Sequence, residues 1–491
     1  MNPHIDYHAI APEIVLAATL VVVLIADLVF PERDRWKTSR IASIGVLGAL
    51  IPVLTLAADG HNRSMFGGAY VVDNYALALK GFFLIVAYVT ILVAVDYIGE
   101  GDYYQGEFYF LLLTSTLGMT VMASSRDLIS IFVALETISI PTFVLAGWRK
   151  HDRRSNEAAL KYFLIGVLST AVMLYGMSIV YGFADSTLLE DILRYASHSS
   201  GEPLFAVAVF LTLGGFAFKV SAVPFHWWAP DTYEGAPTPV TAFLSVASKA
   251  GGFVALLTVV KFGFFGSGDS WQPILWILAA MSMTLGNLTA LRQTNVVRML
   301  AYSSIAQGGF ILVPLAVAGD VRGNSAWEAV VVYILVYGAM NLGAFAVVIA
   351  AARRSRSGEI SSFAGLGRTN PRLALLFTIF LFSLAGVPPL AGWFAKFVMF
   401  RAAFDAGTTS AVVLAVIAAV NSVIAFFYYS GIARQMWFRE PAEGAAVVTG
   451  PAGRTPLAVN TALYLMAAVV LVVGLYPQLF ARIGELAFKA G

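Results

Sequence analysis

Apolar stretches long enough to cross a bilayer recur along almost all of this 491-residue chain. A helix needs about 20 consecutive apolar residues to span the hydrocarbon core. Hydrophobic residues make up 59% of the sequence and charged residues 12%, a balance that excludes a soluble domain of this length. The chain is therefore predicted to be an all-α polytopic membrane protein with about fourteen transmembrane helices. The predicted spans are 11–30, 40–58, 75–97, 107–123, 128–147, 158–182, 204–225, 239–263, 272–291, 296–319, 327–352, 373–400, 410–433 and 457–484.

Two of these spans contain a polar or proline-rich break. The seventh is interrupted near Ser221–Pro224 and the twelfth near Ala385–Pro389. The breaks lie five spans apart, and because five is odd, two five-span blocks would run in opposite directions. Paired broken helices in an inverted repeat indicate an ion site in transporters. The predicted domains are 1–106 (spans 1–3), 107–263 (spans 4–8, first repeat), 264–433 (spans 9–13, second repeat) and 434–491 (a loop and span 14).

Basic residues predict the orientation in the membrane. With the N-terminus outside, the inner loops carry 18 Lys and Arg residues and the outer side 8. Both termini are therefore expected on the periplasmic side of a bacterial inner membrane. The N-terminus lacks the features of a cleaved signal peptide, so the first span is expected to be retained. The inner loop 96–108 has no basic residue, and we expect it to face a neighbouring subunit.

Four ionisable residues lie deep in the spans or beside a break: Glu136, Lys219, Lys249 and Lys396. A charge at this depth costs about 2.5–3.5 kcal/mol, so such residues usually have a function. Burial disfavours a charged group and a nearby opposite charge restores it, so a carboxylate that approaches and leaves a lysine is a proton switch. We expect Glu136 and Lys219 to form such a pair. The alternative is a structural ion pair that tethers helices.

Other polar residues are candidates for a proton relay, and each has a structural alternative as interhelical or loop hydrogen bonding. They are Lys161, His226, Asp231, Gln307, Tyr302 and Asn341. Lys80 and Lys261 lie nearer to span ends and are expected to snorkel to the interface. The sequence has no cysteine, no histidine pair with helix-face spacing and no glycine-rich nucleotide loop, so no metal or cofactor site is predicted. Nothing indicates a nucleic-acid partner.

Several motifs resemble one family. VPFHWWAPDTYEGAPTPVTAFLSVASKAGGF, SSRDLISIFVALETISIP, NEAALKYFLIG, VVRMLAYSSIAQGGF and LAGVPPLAGWFAKF are similar to segments of the antiporter-like subunit N family of proton-pumping NADH:quinone oxidoreductase, respiratory complex I. The resemblance covers about 110–430 in detail. Lys396 distinguishes the chain from M-type subunits, where a Glu is expected, and the chain is too short for an L-type subunit with its long lateral helix.

The resemblance implies a proton-translocating translocase subunit with no redox chemistry of its own. Glu136 and Lys219 would be the switch pair, Lys249 the central lysine and Lys396 the terminal lysine of the second half-channel. Quinone, NADH, FMN and iron–sulfur clusters would belong to other subunits. The partners would be neighbouring membrane subunits of the complex and the lipid bilayer. Two alternatives stay open: an Mrp-type cation/proton antiporter subunit without redox partners, and a purely structural membrane subunit.

Overall fold

The computed structural model describes residues 5–101, 105–198, 201–355, 357–440 and 455–489. Some residues used for the orientation prediction lie outside this part: Arg356, Arg454, the side chain of Arg354 and residues 102–104 of the acidic loop. The loop predicted before the last span also falls largely outside it.

The described residues form twenty α-helices and one short hairpin. The helices are α1 (Ala11–Val29), α2 (Lys37–Asp59), α3 (Asn74–Glu100), α4 (Gln105–Ser124), α5 (Leu128–Ala146), α6 (Arg153–Ala184), α7 (Leu189–His198), α8 (Pro203–Lys219), α9 (Trp228–Gly235), α10 (Thr238–Phe243), α11 (Lys249–Val259), α12 (Gly268–Ala290), α13 (Val296–Ala316), α14 (Ser325–Ser355), α15 (Leu366–Thr369), α16 (Pro371–Ala385), α17 (Ala391–Asp405), α18 (Thr409–Phe438), α19 (Leu457–Leu475) and α20 (Gln478–Ala487). The hairpin pairs β1 (Arg63–Met65) with β2 (Tyr70–Val72), antiparallel.

Within the described residues, 11 helical segments are long and apolar enough to cross a membrane, and α8 and α16 are shorter apolar helices. This architecture confirms the prediction of an all-α polytopic membrane protein. Short polar side chains begin many of the helices by accepting a backbone N–H. Asp73, Asp127, Asn295 and Thr408 cap α3, α5, α13 and α18 in this way. The short helix α7 follows α6 and buries Leu189, Ile192 and Ala196 on one face.

The centre of the molecule is built from α10, α11, α13 and α14. In the most apolar stretch of the path Thr238–Ala290, every residue is buried, and the same holds for Ser325–Arg353. In the most apolar stretch of α6, by contrast, only 28% of the residues are buried. A helix that is apolar on all sides and fully covered by protein is a core helix. Polar groups on these central helices are therefore enclosed by protein.

The predicted spans 239–263 and 272–291 are joined by short helical turns. The path from Thr238 to Ala290 is almost continuously helical. Two π-helical turns, Leu244–Ser248 and Val260–Phe264, and a 3₁₀ turn at Phe265–Ser267 make the connection. Trp271 Nε1 and Ser267 Oγ both donate to the Phe264 carbonyl, which accounts for the ordered turn.

The helix breaks lie where the sequence predicts them. α8 ends at Lys219, and Ser221 adopts a left-handed φ of 57° before the chain resumes in α9. α16 ends at Ala385, and Gly386, with a φ of 91°, closes its last turn before α17. Left-handed residues of this kind end helices, and glycine adopts the conformation without steric cost. Protein groups satisfy much of the broken backbone: Val223 N–H donates to Ser282, and Gly392 N–H to Ser383.

Candidate functional site

Lys219, the last residue of α8, is 5% exposed. Its Nζ donates to Ser139 Oγ of α5 at 2.8 Å. Glu136 lies three residues before Ser139 on the same helix and is half-buried. Among the described residues, Lys219 forms its hydrogen bond with the serine and no ion pair with Glu136. The expected direct pairing is therefore absent from this structure, although one turn of α5 carries both groups.

Lys249 begins α11, directly after the π-helical turn Leu244–Ser248, and is 2% exposed. Its Nζ donates to both the carbonyl oxygen and Oγ of Ser304, each at 2.9 Å. Single π-helical turns inside α-helices are frequent at functional sites. The contact fixes the ammonium group against the middle of α13.

Lys396 lies in the second turn of α17 and is 6% exposed. Its Nζ donates to the Ala385 carbonyl at 2.7 Å and lies 4.7 Å from the centre of the Phe310 ring. The last four carbonyls of a helix have no partner within the helix, and this end carries partial negative charge. The end of α16 therefore accepts the ammonium group, and Lys219 likewise lies at the end of its helix.

Gln307 of α13 connects these regions. Its Nε2 donates to the Leu384 carbonyl at 2.9 Å, and its Oε1 accepts from Tyr333 at 2.7 Å. One turn earlier on α13, Ser303 is hydrogen-bonded to Tyr429. Consecutive polar residues of α13 thus run from the Lys249 contact at Ser304 to the end of α16, where Lys396 binds.

Asn341 and Tyr302 border this row of polar groups. Asn341 Nδ2 donates at 2.8 Å to Oγ of Ser245, which lies four residues before Lys249. The Oδ1 atom of Asn341 has no hydrogen-bond partner among the described residues. Tyr302 is half-buried on α13. Away from the row, Asn287 and Asn421 bond to each other, an arrangement that joins α12 to α18.

A second cluster of charges surrounds α9. Asp231 Oδ2 accepts from Lys161 Nζ at 2.8 Å, and Oδ1 accepts from Arg298 at 2.8 Å, which also bonds Glu234 at 2.9 Å. Burial raises the pKa of Asp231, but the hydrogen bonds from Lys161 and Arg298 outweigh it and leave that pKa below its ordinary value. The structure thus brings together Lys161 and Asp231, two of the predicted relay residues, in an ion-pair network.

His226 lies in the first break, beside the ring of Trp227. It is 2% exposed, and its Nδ1 has no hydrogen-bond partner among the described residues. The structure does not connect it by a direct side-chain hydrogen bond to Asp231 or Lys219 within the described part of the chain.

The expectation for Lys80 is wrong. Rather than snorkelling to an interface, Lys80 is fully buried, with Nζ 3.1 Å from Glu13 Oε1 and 2.9 Å from the Tyr70 hydroxyl. Its partners lie in α1 and in the hairpin. A prediction made from each span separately does not show that these elements pack against α3. Lys261 is half-buried and donates to Asn324, with the rings of Trp327 and Phe488 beside it.

The lysines at the two breaks and at the centre share one chemical property. In the described part of the chain, no ion pair includes Lys219, Lys249 or Lys396, and each ammonium instead donates to hydroxyl or carbonyl oxygens. Neutral oxygens, rather than a fixed carboxylate, therefore hold each of these amines within the described part of the chain.

The sequence interpretation missed the acceptors and bridges. Ser139, Ser304, Tyr333 and Tyr429 were not singled out. Ser139 had a usable signal, since it follows Glu136 by three residues and must share its helix face. Ser304 lies between Tyr302 and Gln307, two of the predicted relay residues. The two tyrosines are large and mostly apolar, and only the fold brings their hydroxyl groups to Ser303 and Gln307.

Comparison with known proteins assigns the family. A family model described as NADH:quinone oxidoreductase/Mrp antiporter, TM, matches residues 125–422. NADH-quinone oxidoreductase subunit N of Trichlorobacter lovleyi is 39% identical over 490 residues, covering 99% of this chain and 97% of that protein. A chain in the structure of respiratory complex I from Thermus thermophilus with bound aureothin is 33% identical, with a TM-score of 0.79 over 96% of this chain and 98% of that one.

A chain in the structure of the Mrp complex from Dietzia sp. DQ12-45-1b has a TM-score of 0.84 over 98% of this chain and 97% of that one, at 21% identity. At that identity the likeness shows the fold alone. The complex I chain and the Mrp chain share this fold, so the fold does not separate subunit N relatives from Mrp subunits. Sequence identity over nearly the whole length does separate them. The chain therefore belongs to the NADH-quinone oxidoreductase subunit N family, within the NADH:quinone oxidoreductase/Mrp antiporter membrane proteins.

Proposed function

We propose that this chain is a proton-translocating membrane subunit of a NADH:quinone oxidoreductase, respiratory complex I. The observation that carries the proposal is the set of three buried lysines, Lys219, Lys249 and Lys396, each donating to neutral oxygens at a helix break or a π-helical turn. Groups of this kind at bilayer depth are expensive to keep and mark ion pathways. The full-length similarity to subunit N supports the same function.

In this proposal, Lys219 is the switch residue of the first half. Glu136 approaches it in another state of the cycle, since both Glu136 and the present partner Ser139 belong to one face of α5. Lys249 passes a proton to the second half, where Gln307 and Lys396 share the carboxyl end of α16. Tyr302 and Asn341 border the path. Lys161, Asp231 and His226 would connect the first half to the inner surface.

The proposed topology has fourteen spans, with inverted repeats at 107–263 and 264–433 between an N-terminal region, 1–106, and a C-terminal region, 434–491. Two observations support the repeat: a left-handed residue follows within two residues of the end of both α8 and α16, and a buried lysine lies at or beside each end. The excess of basic residues in alternate loops supports a bacterial inner-membrane location with both termini on the periplasmic side.

Electron transfer would occur in other subunits of the complex, where NADH, FMN, iron–sulfur clusters and quinone bind. Within the described residues, no group of three or more His, Cys, Asp and Glu side chains is arranged to hold a metal ion. The partners of this chain would be the neighbouring membrane subunits, and the redox energy would reach Lys219 as a conformational or electrostatic signal. An Mrp-type antiporter role is less favoured, because the Mrp structure resembles this chain in fold alone.

The experiment uses membranes that carry Lys219→Ala, with assembly verified on native gels. NADH-driven quinone reduction and proton uptake are recorded on the same sample. We expect both activities to fall while assembly is retained, because coupled pumping needs the switch lysine. Full quinone reduction with full proton uptake would exclude the proposed role of Lys219, and a failure of quinone reductase activity to co-purify with the wild-type chain would favour the antiporter.

A further inference from the structure

Tyr233 of α9 holds its hydroxyl group in the protein interior without a hydrogen-bond partner. The residue is 1% exposed, and no described residue forms a hydrogen bond with the hydroxyl. The ring packs edge-on against Trp228, with 6.2 Å between the ring centres. A buried hydroxyl without a partner costs about 1–3 kcal/mol, whereas phenylalanine would fill the same space without that cost. The hydroxyl therefore requires an explanation other than stability.

The Tyr233 hydroxyl lies beside the contact that holds Lys249. It is close to Ser304 Oγ of α13, although the two groups do not meet the geometry of a hydrogen bond. The same Ser304 Oγ accepts from Lys249 Nζ at 2.9 Å. Tyr337 also approaches Ser304, but its hydroxyl donates to the Ser245 carbonyl at 3.2 Å. A single serine hydroxyl therefore joins the unpartnered phenol to the central lysine.

α9 connects this hydroxyl to the side of the molecule that carries the basic loop after α5. Arg149 of that loop donates at 2.9 Å to the carbonyl of the last residue of α9. Asp231 and Glu234, on either side of Tyr233 in the sequence, both bond Arg298 and keep about a third of their side-chain surface exposed. These side chains are open to water, whereas the Tyr233 ring is not. α9 therefore reaches from a surface open to water to the contact that holds the central lysine.

We propose that Tyr233 is a relay residue that passes protons from water at the exposed face of α9 to Lys249 through Ser304. The inference rests on the proposed function, since it supplies protons to the central lysine of that path. It gives the path an entry between the two halves, separate from the one at Lys219. Lys219 bonds Ser139 of α5 and has no direct hydrogen bond to Tyr233 among the described residues.

The transfer moves one proton and no electrons. When Lys249 has lost its proton, the Ser304 hydroxyl turns away from the Ala301 carbonyl, to which it donates at 2.8 Å in this structure, and donates to the free amine. The Tyr233 hydroxyl gives its proton to Ser304 and takes one from protonated water on the α9 side, so each oxygen keeps one O–H bond. Because the tyrosine donates and accepts in the same step, no buried tyrosinate forms.

The test uses assembled complexes in native membranes that carry Tyr233→Phe, which removes the hydroxyl and keeps the ring. Tyr75→Phe is the matched control, because Tyr75 is also 1% exposed but its hydroxyl is bonded to Thr258 at 3.1 Å. Ser304→Ala is a second relay variant, in which the backbone carbonyl of residue 304 still holds the lysine. NADH-driven proton uptake, its solvent deuterium isotope effect and thermal unfolding are measured for each variant.

We expect Tyr233→Phe to lower the rate of proton uptake roughly tenfold, less than a full general acid–base effect because water can partly replace the hydroxyl. The isotope effect should rise as proton delivery becomes slow. The melting temperature should equal or exceed that of the wild type, because the group removed has no partner. Ser304→Ala should show the same loss of uptake, whereas Tyr75→Phe should melt lower and pump normally per assembled complex.

Normal proton uptake in both Tyr233→Phe and Ser304→Ala would overturn the relay. So would a Tyr233→Phe variant that melts below the wild type and pumps normally, since the hydroxyl would then be structural. Lys219→Ala, measured under the same conditions, separates this inference from the proposed function. Loss of uptake in Lys219→Ala with normal uptake in Tyr233→Phe removes the relay alone, whereas full uptake in Lys219→Ala removes the switch lysine and not the relay.

Discussion

Gln307 and Lys396 donate to neighbouring carbonyls at the end of the same helix. Gln307 Nε2 reaches Leu384 at 2.9 Å and Lys396 Nζ reaches Ala385 at 2.7 Å. Because the break at Gly386 leaves these carbonyls without helical partners, one short segment of backbone joins α13 to the terminal lysine. Movement of the end of α16 would therefore displace the hydrogen-bond acceptors of both side chains.

Gln307→Leu should destabilise the protein by about 1–3 kcal/mol, because it leaves the Leu384 carbonyl and the Tyr333 hydroxyl buried without their partner. It should also slow proton uptake. Thermal unfolding and NADH-driven proton uptake measure the two effects. Gln293→Leu is the control, since Gln293 is half-buried and bonds only within its local turn. Equal behaviour of the two variants would contradict the bridging role of Gln307.

Gly252→Ala should displace Lys219 from Ser139. A Cβ on Gly252 would lie 2.8 Å from Lys219 Cγ, closer than side-chain contacts allow, and the crowded atom is near the base of the lysine rather than at its flexible tip. We expect proton uptake to fall severalfold in assembled complexes. Gly214→Ala is the control, because a Cβ there meets nothing within 4 Å. If both alanine variants pump like the wild type, the position of Lys219 does not matter.

Asp231→Asn should reduce stability near neutral pH and flatten its dependence on acid. Asp231 has a lowered pKa in the folded state, so its stabilisation is present above its ordinary pKa of 3.8 and is lost as the pH falls through the folded value. Each of its partly exposed ion pairs contributes below about 1 kcal/mol. Melting curves between pH 3 and pH 6 compare wild type, Asp231→Asn and the exposed Asp269→Asn. An Asp231→Asn profile parallel to the wild type would contradict the prediction.

Lys80→Met should destabilise the protein by about 3–5 kcal/mol, since it leaves the Glu13 carboxylate buried without its cation. The double variant Glu13→Gln/Lys80→Met should recover a large part of that loss, because no uncompensated charge remains. Thermal unfolding of the single and double variants in lipid nanodiscs measures the difference. A double variant as unstable as Lys80→Met would show that the pair is not coupled.

The sequence predicted features that are local along the chain. The apolar runs predicted the long helices, and Ser221 with Pro224 and the Ala385–Pro389 segment predicted the breaks, because such residues end helices wherever they occur. It did not predict contacts between distant elements. The hydrogen bonds from Lys249 to Ser304 and from Lys396 to Ala385, and the Lys80–Glu13 pair, depend on helix packing that no single segment specifies.

The most direct test of the account is the number of protons taken up per NADH oxidised in assembled complexes carrying Lys249→Met. Lys249 is the buried lysine between the two halves, and methionine keeps much of its volume while removing the ammonium group. Lys261→Met, at a half-buried lysine outside the row of polar groups, is the control. The account predicts that proton uptake falls sharply in Lys249→Met and is kept in Lys261→Met. A wild-type ratio at a wild-type rate in Lys249→Met would contradict it.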